Sequence, residues 1–222
     1  MNTVHSKVYP FKTEPFEHQL KAWSMSKDKE SFALFMEMGT GKSKVILDTA
    51  SYLYDNGYID TLLIVAPKGA YRNWHINEIP SHLADHIIYR YAIWSASPRK
   101  KEKQYLEDII RAGDELRIVI MNVEAFSSPK GVKWATSFLN TSRAMMVVDE
   151  STTIKNPTAK RTKAIIKLGT MAKYRRILTG EPVTRDPLDL YSQCEFLDEF
   201  HLGFSSFYTF RNRYAIMVNM NL

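Results

Sequence analysis

A three-layer α/β domain, a parallel sheet with helices on both faces, is the fold class this sequence predicts, and three observations predict it. Short apolar runs recur along the chain: SFALFM, TLLIVAP, LRIVIMN, AMMVVDE and RRILTG. Each is apolar at successive positions instead of alternating, the pattern of strands covered on both faces, which is how parallel sheets wrapped by helices read. The segments between the runs show helical spacing, and the first run opens directly onto two glycines, a lysine and a serine.

Taken in order, SFALFM begins the first strand at Ser31. Residues 42–56 follow as a helix, with Val45, Ile46, Ala50, Leu53 and Tyr54 at helical spacing and Gly57 as the stop. TLLIVAP from Thr61 is the next strand, and residues 99–112 form another helix with Tyr105, Leu106, Ile109 and Ile110 on one side. LRIVIMN from Leu116, AMMVVDE from Ala144 and RRILTG from Arg175 complete the strands. Beyond residue 200 the pattern changes to HLGFSSFYTFRNRYAIMVNMNL, rich in aromatic and basic residues. Residues 1–200 are therefore read as one domain and 201–222 as the start of a helical extension.

With 222 residues, 45% hydrophobic and 24% charged, the chain can bury a sizeable core and is not a mostly disordered polymer. It contains no stretch near the ~18 apolar residues of a membrane helix, and its first residues hold no apolar signal core, so it is read as intracellular. The lone Cys194 can form no internal disulfide and cannot anchor a cysteine-rich zinc site. A formal charge of +6 favours a polyanionic partner.

The segment MEMGTGKS carries Gly39, Thr40, Gly41, Lys42 and Ser43 in the order a phosphate cradle demands. Glycines let backbone N–H groups face phosphate oxygens, and a helix N-terminus behind them adds partial positive charge. Lys42 would reach the β and γ phosphates of ATP, and Ser43 would ligate Mg2+. The longer motif asks for a glycine where Met36 stands, so only the short form is present. A strand-to-helix turn that merely needs glycine is the plainer alternative. At the end of AMMVVDE, Asp149 and Glu150 form an acidic pair: the first carboxylate orients Mg2+, and the second acts as base toward an attacking water. An acidic pair at a strand end also serves as a helix cap. The two elements together favour the catalytic reading, because a parallel sheet brings strand C-termini to one edge.

These residues resemble the first RecA-like lobe of the Swi/Snf-type helicase-like ATPases of superfamily 2, over residues 11–200 and in six ordered blocks. Gln19 in PFEHQLKAW stands where that family reads adenine, and MEMGTGKS is similar to its motif I. LLIVAPKGAYRNWHINEI resembles motif Ia and IVIMNVEAF the next block. VVDEST is similar to motif II, followed within the same block by IKNPTAKRTKAI with the basic-Asn step at Lys155 and Asn156, and ILTGEPVTRDPLDLYSQCEFL resembles motif III. The resemblance implies a RecA-like P-loop fold and places Lys68, Arg72 and Asn122 toward nucleic-acid phosphates. It gives Thr179, Gly180 and Glu181 the coupling role of motif III. It further implies an ATP-hydrolysing enzyme of the helicase or duplex-translocase kind, using ATP and Mg2+, with DNA, duplex or branched ahead of RNA, as a partner. A second RecA-like lobe, with motifs IV to VI and an arginine finger, is the other implied partner. Its motifs do not occur in these residues, so slow turnover by this chain alone is expected. The compact spacing of the motifs resembles bacterial or bacteriophage members, and a cytoplasmic location follows.

The sequence departs from the family in three places. Ser151-Thr152 replaces the Ala-or-Gly then His of motif II, so polar coupling is lost or passes through a hydroxyl. Glu181 stands where motif III has a threonine, adding negative charge near a triphosphate. Phe16 replaces an arginine three positions before Gln19. Trp74 has both a stacking and a core reading, with core the stronger. PRKKEK at 98–103 reads as a solvated helix start or a basic patch. His82 and His86 are read on one helix face but without the further ligands a zinc site needs. Two other functions stay open: a nucleotide- or DNA-binding regulatory module that does not hydrolyse, and another P-loop phosphotransferase.

Overall fold

The computed structural model describes residues 9–111 and 113–215. Six strands form one fully parallel sheet. They are β1 Ser31–Phe35, β2 Thr61–Ala66, β3 Tyr89–Ile93, β4 Leu116–Asn122, β5 Ala144–Asp149 and β6 Tyr174–Thr179. Their order across the sheet is β1-β6-β5-β2-β4-β3. β2, in the interior, is buried at all six positions, as its unbroken apolar run requires. Successive residues of β2 enter opposite cores: Leu63 and Val65 face one, Leu62, Ile64 and Ala66 the other.

Helices close both faces. Helix α1 (Glu17–Ser26) and helix α2 (Lys42–Asp55) cover one side. They share it with a continuous helical run made of α3 (Tyr71–Asn73), a π-helical turn (Trp74–Glu78) and α4 (Ile79–His82). The other face is closed by α5 (Lys100–Asp108), α6 (Pro129–Leu139), α7 (Lys160–Gly169) and α8 (Tyr191–Leu197). A last helix, α9 (Phe207–Tyr214), buries Phe210 against Tyr191 of α8, with ring centroids 5.5 Å apart. The three-layer expectation holds, and the five expected strands are all present.

Three details differ from the sequence reading. β3 is an additional strand at the sheet edge, where Tyr89, Arg90 and Tyr91 remain partly or fully exposed. Helix α5 ends at Asp108, and Tyr105 stays exposed while Leu106 and Ile109 are buried; Ala112, the last residue of the expected helix, lies outside the described residues. His82 and His86 do not share a helix, because α4 stops at His82 and Leu83 is extended. His86 instead meets Asp55 at 2.9 Å. The final seven residues of the expected helical extension also lie outside the described residues.

Candidate functional site

The residues of the expected phosphate cradle are built as that chemistry needs. Gly39 has φ +77° and Gly41 φ +84°, backbone that favours glycine. At Gly41 a Cβ would also stand 2.3 Å from Gln19 Nε2. Gly41 is the N-cap of α2 and no side chain caps that helix, which leaves first-turn N–H groups for an anion. Lys42 Nζ donates to the carbonyls of Met36 and Glu37 at 2.9 and 3.0 Å, so its ammonium lies over the loop that a phosphate would share. The Ser43 hydroxyl and the Asp149 carboxylate offer hard oxygen donors of the kind Mg2+ prefers. The residues present therefore fit a triphosphate and Mg2+.

Gln19 reaches the same loop. Its Nε2 donates to Thr40 O at 3.0 Å while its Oε1 accepts from Phe16 N–H at 3.0 Å. His18 Nε2 donates to the same Thr40 carbonyl at 2.9 Å. Thr40 in turn donates its hydroxyl to Glu37 O at 2.7 Å, which closes the turn.

The acidic pair ends β5, two strands from β1 across β6. Asp149 Oδ1 accepts from the Glu150 N–H at 3.0 Å, and Oδ2 accepts from the indole N–H of Trp74 at 2.9 Å. Burial pushes the Asp149 carboxyl above its ordinary value, and the Trp74 bond only partly opposes it. Glu150 adopts a left-handed backbone, φ 48° and ψ 63°, rare for a residue with a side chain. Its Oε2 lies 3.4 Å from the Thr179 hydroxyl at the end of β6. That hydroxyl also accepts from Glu181 N–H at 3.2 Å. Gly180 passes close to the cradle, where a Cβ would meet Met38 Cγ at 3.2 Å. Glu37, Glu150 and Glu181 line a cleft of about 400 Å³ beside these residues. The Glu181 side chain is exposed.

Lys68 and Arg72 are exposed just after β2, and Asn122 ends β4, the neighbouring strand. All three therefore lie along the edge that carries the cradle. Asn122 Oδ1 accepts from Glu124 N–H at 2.9 Å and caps the 3-10 turn that follows, which leaves its NH2 as the donor for a phosphate. Arg72 also borders a groove of about 890 Å³, lined further by Tyr91 of β3 and by Lys101 and Tyr105 of α5. The basic run at 98–103 opens α5, where Glu102 accepts from Arg99 N–H at 2.7 Å.

Residues 16–220 match the SNF2-related domain family. The chain belongs to that family. It is 25% identical over 187 residues to the mouse helicase-like transcription factor, covering 81% of this chain and 17% of that protein. A Caenorhabditis elegans homologue of SWI/SNF-related matrix-associated actin-dependent regulator of chromatin subfamily A-like protein 1 is 27% identical over 218 residues, 97% of this chain and 28% of that protein. The SWI2/SNF2 ATPase core of Sulfolobus solfataricus, solved in complex with dsDNA, shares the fold. Its TM-score is 0.72 at 24% identity, over 93% of this chain and 40% of the other. The chain thus spans well under half the length of these relatives.

Ser151 stands where the resembled motif has an Ala or Gly before its histidine. With histidine absent, the Ser151 hydroxyl, fully buried, donates to Gln193 Oε1 at 2.5 Å. Gln193 Nε2 donates in turn to the carbonyls of Pro182 and Asp189, so motif II is joined to the loop after motif III through a glutamine on α8. Lys155, at the basic-Asn step, bonds Thr184 and lies 3.2 Å from Asp189 Oδ2. Trp74, expected in the core, is 1% exposed and also bonds Asp149. His18, Asp189 and Gln193 fall inside the quoted blocks but were not among the expected site residues, because the contacts that give them a role join residues far apart in the chain.

Proposed function

We propose that this chain is the ATP-binding lobe of a DNA-dependent ATPase, a helicase or a double-stranded DNA translocase, with ATP and Mg2+ as cofactors. The observation that carries this reading is the meeting, along one sheet edge, of the uncapped glycine loop at 39–43 with the carboxylates at the end of β5. The N–H groups of Gly39, Thr40 and Gly41 and the Lys42 ammonium hold phosphate, and Gln19 turns from Thr40 to the adenine. Ser43 and Asp149 hold Mg2+, which supplies charge neutralisation when bound. Glu150 takes a proton from the attacking water on its carboxylate, and Thr179 steadies that carboxylate while Gly180 and Glu181 link it to the cradle. Lys68, Arg72 and the Asn122 amide donate to DNA phosphates, and the Sulfolobus relative's dsDNA complex favours duplex over RNA. Residues 1–200 form the lobe and 201–222 begin an extension toward a second RecA-like lobe, the partner that would supply an arginine to the γ-phosphoryl. The reading includes a cytoplasmic site in a bacterial or phage-infected cell; no described helix is long and apolar enough to cross a membrane.

The test is calorimetry with ATP and Mg2+. Lys42→Ala removes a charge-assisted contact of ~1.5 to 3 kcal/mol, so affinity should fall by roughly 10- to 150-fold. Equal affinities would overturn the assignment. Turnover measured with and without duplex DNA then separates an ATPase from a module that only binds. Turnover well below the ~1 to 10³ per second of ordinary enzymes is expected, rising when a second lobe is supplied.

A further inference from the structure

Trp74 is a large side chain at 1% exposure, packed into the apolar core on the face of the sheet that α1 and α2 cover. An indole has one polar atom, and that atom can only donate. Here the single donor lands 2.9 Å from Oδ2 of Asp149, on a residue 75 positions away. The ring is fixed by packing on all sides, so the direction of the N–H is fixed with it. The other oxygen of the carboxylate is fixed by the backbone N–H of Glu150 at 3.0 Å. A carboxylate has roughly four acceptor positions, so two remain after these bonds. The backbone around Trp74 is unusual in the same place, since it opens the π-helical turn Trp74–Glu78 between α3 and α4, and such turns gather at functional sites.

We propose that Trp74 is a positioning residue for the metal. Its indole N–H clamps one oxygen of Asp149, so that the carboxylate presents its remaining lone pairs to Mg2+ in a fixed direction. This rests on the nucleotide reading above and assigns it a residue that no motif residue in the cradle or the acidic pair accounts for. Trp74 touches neither nucleotide nor metal in this scheme. Its effect passes through Asp149 alone. A merely structural tryptophan would lower stability when shortened, yet it would leave the metal dependence of nucleotide binding where it was.

The experiment is a Mg2+ titration of nucleotide affinity, read with a fluorescent ATP analogue on the full chain, for wild type and Trp74→Phe. Phenylalanine keeps most of the packing and removes the donor. Groups that orient metal ligands typically change metal affinity by ~10- to 100-fold. The Mg2+ midpoint should therefore rise by about that factor, while affinity in the absence of Mg2+ stays within about twofold. A midpoint within twofold of wild type in a folded Trp74→Phe chain overturns the proposal. A second measurement covers failure of that variant to fold. Among the four indole N–H proton resonances of the wild-type chain, one should shift in Asp149→Asn, and the same one should shift on adding Mg2+ with ATP. Two different resonances, or none, also overturn it. If wild type binds no nucleotide at all, the underlying nucleotide reading fails instead, and the Asp149→Asn comparison still decides whether the indole–carboxylate contact exists in solution.

Discussion

Glu150 shows what it takes to aim a carboxylate at the end of a strand. A residue with a side chain at φ 48° sits in a region costing of order 1 kcal/mol or more, and it persists only where neighbours over-determine it. The neighbour that does so is Ser151, fully buried and bonded to Gln193. Gln193 uses its amide three times, accepting from Ser151 and donating to Pro182 and Asp189. Truncation to Ser151→Ala leaves a buried carbonyl oxygen without a donor, at about 1 to 3 kcal/mol. Gln193→Leu orphans the serine hydroxyl and two carbonyls, and it should cost at least as much. The pair shares one bond, so the double variant should be less destabilised than the sum by roughly 0.5 to 3 kcal/mol. Denaturant unfolding of the four proteins measures this, and additivity within about 0.5 kcal/mol would show that the hydroxyl makes no such bond.

Between elements, Asp189 in the 3-10 turn Pro187–Leu190 ties the loop after β6 to Lys155. Its Oδ2 accepts from the Thr184 N–H at 2.9 Å, the Thr184 hydroxyl at 2.7 Å and the Arg185 N–H at 3.0 Å, with Lys155 at 3.2 Å. Burial would raise this carboxyl, but the Thr184 and Arg185 donors and Lys155 outweigh it and hold it down at about 2. A depressed value means that the stabilisation is present above the unfolded carboxylate's ~3.9 and disappears as pH falls through about 2. Asp189→Asn should therefore be less stable than wild type by about 1.5 to 3 kcal/mol near neutral pH, with the gap closing below pH 4. A gap independent of pH from 7 to 2 would contradict the carboxylate's role. This tie also marks how far the sequence could be read. The runs of β2, β4, β5 and β6 were legible because these interior strands are covered on both faces, and edge strand β1 kept an apolar run, SFALF, although only Leu34 in it is fully buried; β3, at the other edge, reads YRYAI and leaves tyrosines and an arginine at the surface. The cradle and the acidic pair were legible because each is a contiguous string whose chemistry fixes its residue types. Asp189, Gln193 and Trp74 act on residues 34, 42 and 75 positions distant. Only the folded sheet brings such partners together, so no local pattern announces them.

Across the whole molecule, parallel strands put every βα turn at one edge, and the order β1-β6-β5-β2-β4-β3 lays the two candidate sites side by side. The cradle and acidic pair occupy the turns after β1 and β5; Lys68, Arg72 and Asn122 occupy those after β2 and β4, with β5 and β2 paired directly. This arrangement makes DNA binding a question of place as well as of charge. The chain carries 30 basic and 24 acidic residues, a net +6, so a diffuse attraction to any polyanion is expected. Contact at particular phosphates is distinguishable from it, because each phosphate neutralised adds about 0.9 to the slope of log affinity against log salt on B-DNA. If Lys68 and Arg72 each hold one phosphate, the double variant Lys68→Ala/Arg72→Ala should flatten that slope by roughly two units, and affinity should fall similarly on every duplex sequence. Lys163→Ala/Lys167→Ala, on exposed positions of α7, removes the same net charge from the helix layer on the other side of the strand ends and should change the slope little. Equal slopes for the two double variants would mean that the molecule is held by its overall charge, and the turn after β2 would then lose its place in the DNA interface.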